Sequence, residues 1–205
     1  MWAKHRKMKL IFISGPSGSG KTTLSDKIMV KVKNGIVLRT DNYYKTGLIS
    51  KFLSKSINGY FDRSISFNYK LFKEDFNFIL KNGISINERF YNFENKTIEN
   101  FLKETKNINY IIVEGIFAKE FSSTIIDKNY YFLELKIHKD ECKKRVLQRD
   151  FKDRGKSKKQ AENDFIKSWN IYYEKINNKR RKNNTDEYII TEKTKINLMI
   201  EKLFN

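Results

Sequence analysis

The feature that most constrains this chain lies near its start. An apolar run, Lys9 to Ser14 (KLIFIS), flows directly into Gly15-Pro16-Ser17-Gly18-Ser19-Gly20-Lys21-Thr22-Thr23. The run reads as a buried strand and the glycines as a tight turn. Beyond Lys21, Leu24, Ile28 and Val32 recur at helical spacing, so strand, loop and helix follow in order. Residues 15–22 fit G-x-x-x-x-G-K-[ST] in full, and they sit in the context that pattern requires. Glycines let the backbone curl so that successive N–H groups point at phosphate oxygens. The helix start adds its positive end. Lys21 brings a flexible charge to the β- and γ-phosphates, and the Thr22 hydroxyl can ligand Mg²⁺. The motif implies ATP or GTP, but not what the phosphate is moved to.

At 205 residues the chain has room for one globular domain, and with one proline and 39% hydrophobic residues it is neither collagen-like nor disordered. Cys142, the single cysteine, excludes an internal disulfide framework and, with two histidines, a His/Cys metal cluster. The formal charge of +18 admits nucleic acid, anionic membrane or a phosphorylated ligand without choosing among them. The apolar run at the start is too short for a signal peptide, and no run approaches the roughly 20 residues that span a bilayer. The expected location is cytoplasmic, which makes the glycosylation-like triplets at 95–97 and 183–185 chance matches.

Alternating strands and helices with short connections predict one α/β domain with a mostly parallel sheet. Expected strands are Ile36–Arg39, Tyr110–Val113, Tyr130–Ile137 and Tyr188–Thr191. Expected helices are Phe67–Leu80, Asp140–Asp153, 161–177 and Ile196–Phe204. Gly47–Asp62 reads mainly as loop, and Ile84–Thr97 as small edge strands.

Acids follow the expected strands. Asp41 stands just after the second strand, where ligand crevices of open parallel sheets lie. It could accept a hydroxyl proton or help hold Mg²⁺; the bland alternative is a helix cap. Glu114 ends YIIV and is a second candidate for Mg²⁺, or else a surface turn acid. Asp62 could accept two vicinal sugar hydroxyls, or simply start a helix. Arg145 and Arg149 share a helix face that leads to Arg154 and Lys156. Guanidinium forks suit phosphate, and a basic loop over residues 145–159 could exclude water. The alternative is a solvated basic helix.

Taken together, GPSGSGKTTLS, TDNYYK (40–45), YFDRSISFNYKLF (60–72), YNFENKT (91–97), EGI (114–116) and RVLQRDFKDRGK (145–156) resemble the uridine kinase family. Phosphoribulokinase-like and nicotinamide riboside kinase-like proteins belong to the same wider group. The resemblance spans about residues 9–191. It implies a P-loop NTPase fold over residues 1–205, with a small substrate-binding insertion (about 41–98) and a basic lid (about 145–159). It also implies transfer of phosphate from ATP or GTP, with Mg²⁺, to the 5′-hydroxyl of uridine or cytidine. On that resemblance Asp41 is the base, Asp62 holds the ribose hydroxyls, and Glu114 sits by the metal with Thr22. Arg149, Arg154 and Lys156 belong to the lid, and Tyr44 and Tyr91 to the nucleoside site.

Departures cluster at the base-recognition end. Lys96 stands where the family has histidine, Ile98 replaces an arginine, and Lys156 replaces another. Phosphorylation is therefore better supported than uridine specificity. Trp169, Tyr172 and Tyr173 keep a nicotinamide riboside kinase as a rival, although helix core is the preferred reading of that stripe. The non-enzyme alternative, a basic nucleic-acid-associated NTPase, rests on Lys179-Arg180-Arg181-Lys182. The expected partner is a small nucleoside, with no specific nucleic acid and no membrane; a homo-oligomer stays open.

Overall fold

The computed structural model describes residues 8–105, 107–122, 130–177 and 186–204. The basic run at 179–182 lies outside the described residues, as does the side chain of Arg154.

The first strand, β1 (Lys9–Ser14), leads through the glycine loop to helix α1 (Lys21–Lys31) and then to β2 (Gly35–Arg39). A single 3₁₀ turn, Thr40–Asn42, precedes α2 (Gly47–Ser56); two more, Tyr60–Asp62 and Ser64–Ser66, lead to α3 (Tyr69–Asn82). Strands β3 (Ser85–Asn92) and β4 (Thr97–Glu104) form a hairpin before β5 (Tyr110–Glu114) and the short α4 (Ala118–Ser122). The chain closes with β6 (Tyr130–Leu135), α5 (Lys139–Arg154), α6 (Lys158–Ile171), β7 (Asp186–Ile190) and α7 (Ile196–Phe204). A π-helical turn, Tyr172–Asn177, extends α6.

The main sheet has the order β2-β5-β1-β6-β7, and every pairing in it is parallel. Strand β1 lies at its centre, covered on both faces, which is why KLIFIS is almost wholly apolar. Its alternate side chains divide between two cores. Leu10 and Phe12 join Leu38, Ile111 and the α3 residues Phe72, Phe76 and Ile79. Ile11 and Ile13 join Leu24 and Ile28 of α1, Val146 of α5, Phe165 of α6 and Phe204 of α7. This is the three-layer α/β arrangement of P-loop NTPases, with helices on both faces of a parallel sheet.

Three local expectations change. Gly47–Asp62 contains a helix, α2, whose Ser50 is buried while Leu48, Ile49 and Phe52 face outward. An amphipathic pattern turned away from the core gives no readable burial signal. The edge strands of residues 84–97 are one arm of an antiparallel hairpin. Its other arm, β4, is mostly exposed and carries no clean alternation. The expected basic loop at 154–159 shortens to residues 155–157 between two helices. Helix α5 runs to Arg154, Gly155 ends it in a left-handed turn (φ +60), and Ser157 caps α6 with Gln160 in a reciprocal capping box.

Candidate active site

The glycine loop takes its shape from close approaches that only glycine permits. Gly18 has φ +79, and a Cβ there would lie 2.5 Å from the Cys142 carbonyl oxygen of α5. Gly20 (φ +95) turns the chain into α1. The loop is thus wedged between α1 and α5. At its head, Lys21 Nζ donates to the Pro16 carbonyl at 3.0 Å. Burial lowers the Lys21 pKa, and the charges of Glu114 and Asp41 oppose that shift. The Ser19 hydroxyl is buried with no hydrogen-bond partner. A desolvated ammonium and an orphaned hydroxyl within one loop suit a phosphate-bearing ligand.

Parallel pairing brings the acids to this loop. β5 lies between β1 and β2, with Glu114 opposite both Ile13 and Arg39. The Thr22 hydroxyl donates to Glu114 Oε1 at 3.2 Å, and Arg39 Nε lies 3.3 Å from the same oxygen. Burial raises the Glu114 pKa, as does Asp41; Lys21, Arg39 and Thr22 pull it back. Thr22 and Glu114 form a hard-oxygen pair suited to Mg²⁺ carried in by a nucleotide. Among the described residues no cluster of three or more His, Cys, Asp or Glu could hold a metal by itself.

Asp41 occupies the exposed 3₁₀ turn after β2. Its charge acts on Lys21 and Glu114 on one side and on Asp62 on the other. The Asp62 carboxyl is pushed up to about 6, chiefly by burial; a Ser168 hydrogen bond and the Lys156 charge work against that. Gly59 (φ +65) makes the tight turn before it, and a Cβ there would meet Ile171 Cδ1 at 2.5 Å.

Beside Asp62 lies a cluster of rings in edge contact. Tyr44 meets Phe61, Tyr91 and Phe93 at centroid distances of 5.0, 5.3 and 5.6 Å. Lys96, in a left-handed conformation at the hairpin tip, sets Nζ 4.8 Å above the Phe61 ring and donates to the Phe93 carbonyl. Burial lowers its pKa. Ile98 packs at the edge of the same core.

On the basic helix, Arg145 Nη1 donates to the Gly18 carbonyl at 3.3 Å. Arg149 donates through Nε and Nη2 to Asp150 Oδ1 at 3.0 and 2.8 Å. Lys156 bridges Asp150 and Asp164 at 3.1 and 2.9 Å. Burial opposes the charge of Lys156, but the hydrogen bonds to Asp164 and Asp150 outweigh it and raise its pKa. The structure therefore gathers Lys21, Thr22, Asp41 and Glu114 on one side, and Tyr44, Asp62, Tyr91 and Lys96 on the other. Sequence reasoning missed Arg39, Phe61, Phe93 and Ser168. Phe61 and Phe93 stood inside the two resemblance blocks. Arg39 and Ser168 had no local signal, because their partners come from distant elements.

Comparison with known proteins follows the same lines. The sequence profile of the family described as phosphoribulokinase / uridine kinase matches residues 10–204. The chain belongs to the phosphoribulokinase/uridine kinase family. A uridine kinase from Staphylococcus haemolyticus is 33% identical over 163 residues, covering 77% of this chain and 75% of that protein. One from Borrelia duttonii is 30% identical over 168 residues, covering 81% and 79%. Among solved structures, a Silicibacter protein described as a fructose transport system kinase superposes with a TM-score of 0.63 at 16% identity, over 92% of this chain and 93% of that one. At that identity the last likeness speaks to the fold alone. In this phosphoribulokinase/uridine kinase family member, no helix among the described residues is long and apolar enough to cross a membrane.

Proposed function

We propose that this kinase transfers the terminal phosphate of ATP, or GTP, to the 5′-hydroxyl of a pyrimidine ribonucleoside, uridine or cytidine. One observation supports the reading: parallel pairing sets Glu114 opposite Arg39 and against the Thr22 hydroxyl of the phosphate loop, and the turn that carries Asp41 starts directly after Arg39. Residues 15–23 cradle the nucleotide phosphates through backbone N–H groups, and Lys21 neutralises the β- and γ-phosphates. Thr22 and Glu114 would hold Mg²⁺, directly or through water, and the ion would supply further charge neutralisation there. Asp41 accepts the proton of the 5′-hydroxyl as its oxygen bonds to the γ-phosphorus. The bond from that phosphorus to the β–γ bridging oxygen breaks, and the nucleoside diphosphate leaves. Asp41 is the better base than metal ligand, because it is exposed in the turn after β2 while Glu114 is the acid that the Thr22 hydroxyl meets.

Asp62 accepts the two ribose hydroxyls, and the rings of Tyr44 and Tyr91 meet the base. Lys96 donates to a pyrimidine carbonyl after leaving the Phe93 carbonyl. The family resemblance assigns Arg149, Arg154 and Lys156 to phosphate and to the exclusion of water; Arg149 and Lys156 would leave Asp150 and Asp164 to take up that role. Tyr172 is buried in one core, and Tyr173 and Trp169 pack partly buried against the two cores, which supports the helix-core reading of that stripe over a riboside site.

A substrate screen tests the proposal. The purified chain, given ATP or GTP, should phosphorylate uridine or cytidine but neither nicotinamide riboside nor pantothenate. Turnover with none of the nucleosides overturns it. Asp41→Asn should abolish transfer while nucleotide binding stays measurable by calorimetry; turnover near wild type removes Asp41 from the base role.

A further inference from the structure

The outer edge of the hairpin is open. β3 is tied inward, with Asn87 and Arg89 donating to Asp75 of α3 and Tyr91 N to Asn42 Oδ1. β4 is exposed at every residue from Glu99 to Glu104, and among the described residues no strand pairs with its far side. Natural sheets blunt such an edge with proline, a bulge or added lysines. β4 (TIENFLKE) has no proline and one lysine, and its register against β3 runs unbroken from Ser85–Glu104 to Asn92–Thr97. It instead presents apolar side chains, Phe101 at 55% and Leu102 at 68% exposure. A two-stranded ribbon is marginal by itself and gains from further strands.

The backbone limits how a further strand can add. Thr105 N donates to the Ile84 carbonyl, one step beyond Ser85–Glu104 in the same register, so Ile84–Thr105 is a hydrogen-bonded pair. Hydrogen-bonded and non-hydrogen-bonded pairs alternate along an antiparallel ladder. Thr97, Glu99, Phe101 and Lys103 therefore turn their N–H and C=O groups toward β3. Ile98, Asn100, Leu102 and Glu104 turn theirs outward. Two copies of this edge can pair antiparallel only where the outward residues face one another. A two-fold axis at Phe101 meets that condition, setting Asn100 opposite Leu102. It also sets Glu99 opposite Lys103 in both directions, and Phe101 opposite itself. Axes at Asn100 or Leu102 also match the backbone, but they place a charged side chain, Glu99 or Lys103, opposite Phe101.

We propose that β4 pairs antiparallel with β4 of a second copy of this chain, about a two-fold axis at Phe101, so that two hairpins form one four-stranded sheet. The Glu99–Lys103 and Phe101–Phe101 positions are then non-hydrogen-bonded pairs, whose side chains approach most closely. Phe90, with its ring centroid 6.2 Å from that of Phe101, brings one more exposed ring from each copy to the same face. Lys103, already 3.3 Å from Glu88 Oε1, comes to lie between two carboxylates. The two strands carry Glu88, Glu99 and Glu104 against Arg89 and Lys103, in a chain of formal charge +18. Repulsion between two such basic molecules is weakest where they meet through this hairpin. The pairing is independent of the acceptor that the site phosphorylates.

Sedimentation velocity over a dilution series tests the proposal. Wild type should pass from a 24.5 kDa monomer to a species of twice that mass as concentration rises. Glu99→Lys sets lysine against lysine, and Lys103→Glu sets glutamate against glutamate, twice in each dimer. Either change should raise the dissociation constant by about tenfold or more. The double variant restores two opposite-charge pairs and should recover most of that loss, an outcome that general surface damage would not produce. Cysteine cross-linking reads the register separately. Phe101→Cys should give a disulfide dimer with oxidised glutathione, whereas Asn100→Cys and Leu102→Cys, each facing the other position, should not. The native Cys142 is buried and does not compete. All five positions are exposed, so unchanged circular dichroism separates lost pairing from lost folding. A monomer at every concentration overturns the proposal. So does a dimer indifferent to both single charge variants, a double variant no better than the worse single, or cross-linking stronger at 100 or 102 than at 101.

Discussion

Asp62 carries the clearest chemical signature at the residue scale, a carboxyl raised from 3.8 to about 6 mainly by burial. Between those values the folded chain holds a proton that the unfolded chain has released. Its contribution to stability therefore falls as pH rises from about 4 to about 6, and the full cost persists above 6. Asp62→Asn should raise Tm at pH 7.5 but hardly at pH 4, on the scale of about 2–4 °C per kcal/mol for a chain this size. Scanning calorimetry at the two pH values checks the difference; an equal shift at both removes burial of the charge as its cause. The same titration bears on binding, because a protonated carboxyl loses half of its capacity to accept two hydroxyls. In wild type, KM for uridine should climb as pH drops below 6, approaching about tenfold per unit for one titrating group. In Asp62→Asn it should be high and flat.

Lys96 belongs to the same scale. The family resemblance flagged the position, but its surroundings came from packing, which sets the ammonium over Phe61. Lys96→Ala should raise KM for the nucleoside while leaving KM for ATP unchanged. Steady-state kinetics with each substrate varied in turn separates the two.

At the scale of elements, the joint between β5 and β2 is the tightest point of the site. Gly115 follows Glu114 with φ +142, and a Cβ there would lie 1.8 Å from Thr40 Oγ1. Any larger residue must push away the turn that begins at Thr40. Gly115→Ala should destabilise the fold by about 1–3 kcal/mol from backbone strain alone. It should also reduce kcat more than ATP affinity, since Thr40 neighbours Asp41 while the phosphate loop stands on another strand. Urea melts and nucleotide titrations measure the two effects. Elements with strong burial periodicity were legible in the sequence: β1, α1, α3 and α7 fall within two residues of expectation at most ends. Helix α2 was not, because Leu48, Ile49 and Phe52 point outward and Ser50 inward. Strand β4 was not, because its face is mostly solvent.

Across the whole molecule, the charge of +18 divides by location. Lys21, Arg149 and Lys156 are engaged around the cleft with carboxylates or backbone carbonyls. The remaining excess is dominated by lysines, 33 of the 42 cations, which form point charges without a planar recognition fork. Binding to polynucleotides should therefore be weak and steeply salt-dependent, falling by orders of magnitude between about 50 and 200 mM salt. RNA should leave ATP turnover unchanged. Fluorescence anisotropy with a single-stranded RNA across that range checks the first part; RNA-stimulated hydrolysis at physiological salt would revive the nucleic-acid reading.

The phosphate loop was determined by the sequence itself, because a strand, its glycine turn and the helix after it are contiguous and their geometry is local. The acids that follow strands could likewise be named, though not assembled. Only the tertiary structure decided that β5 inserts between β1 and β2 and so sets Glu114 beside Thr22 and Arg39. It also decided that Asp75 of one helix meets Arg89 and Asn87 of one strand. Strand order and buried charge pairs depend on which hydrophobic faces cover one another across long stretches of chain. That choice is collective, and no local window of residues contains it.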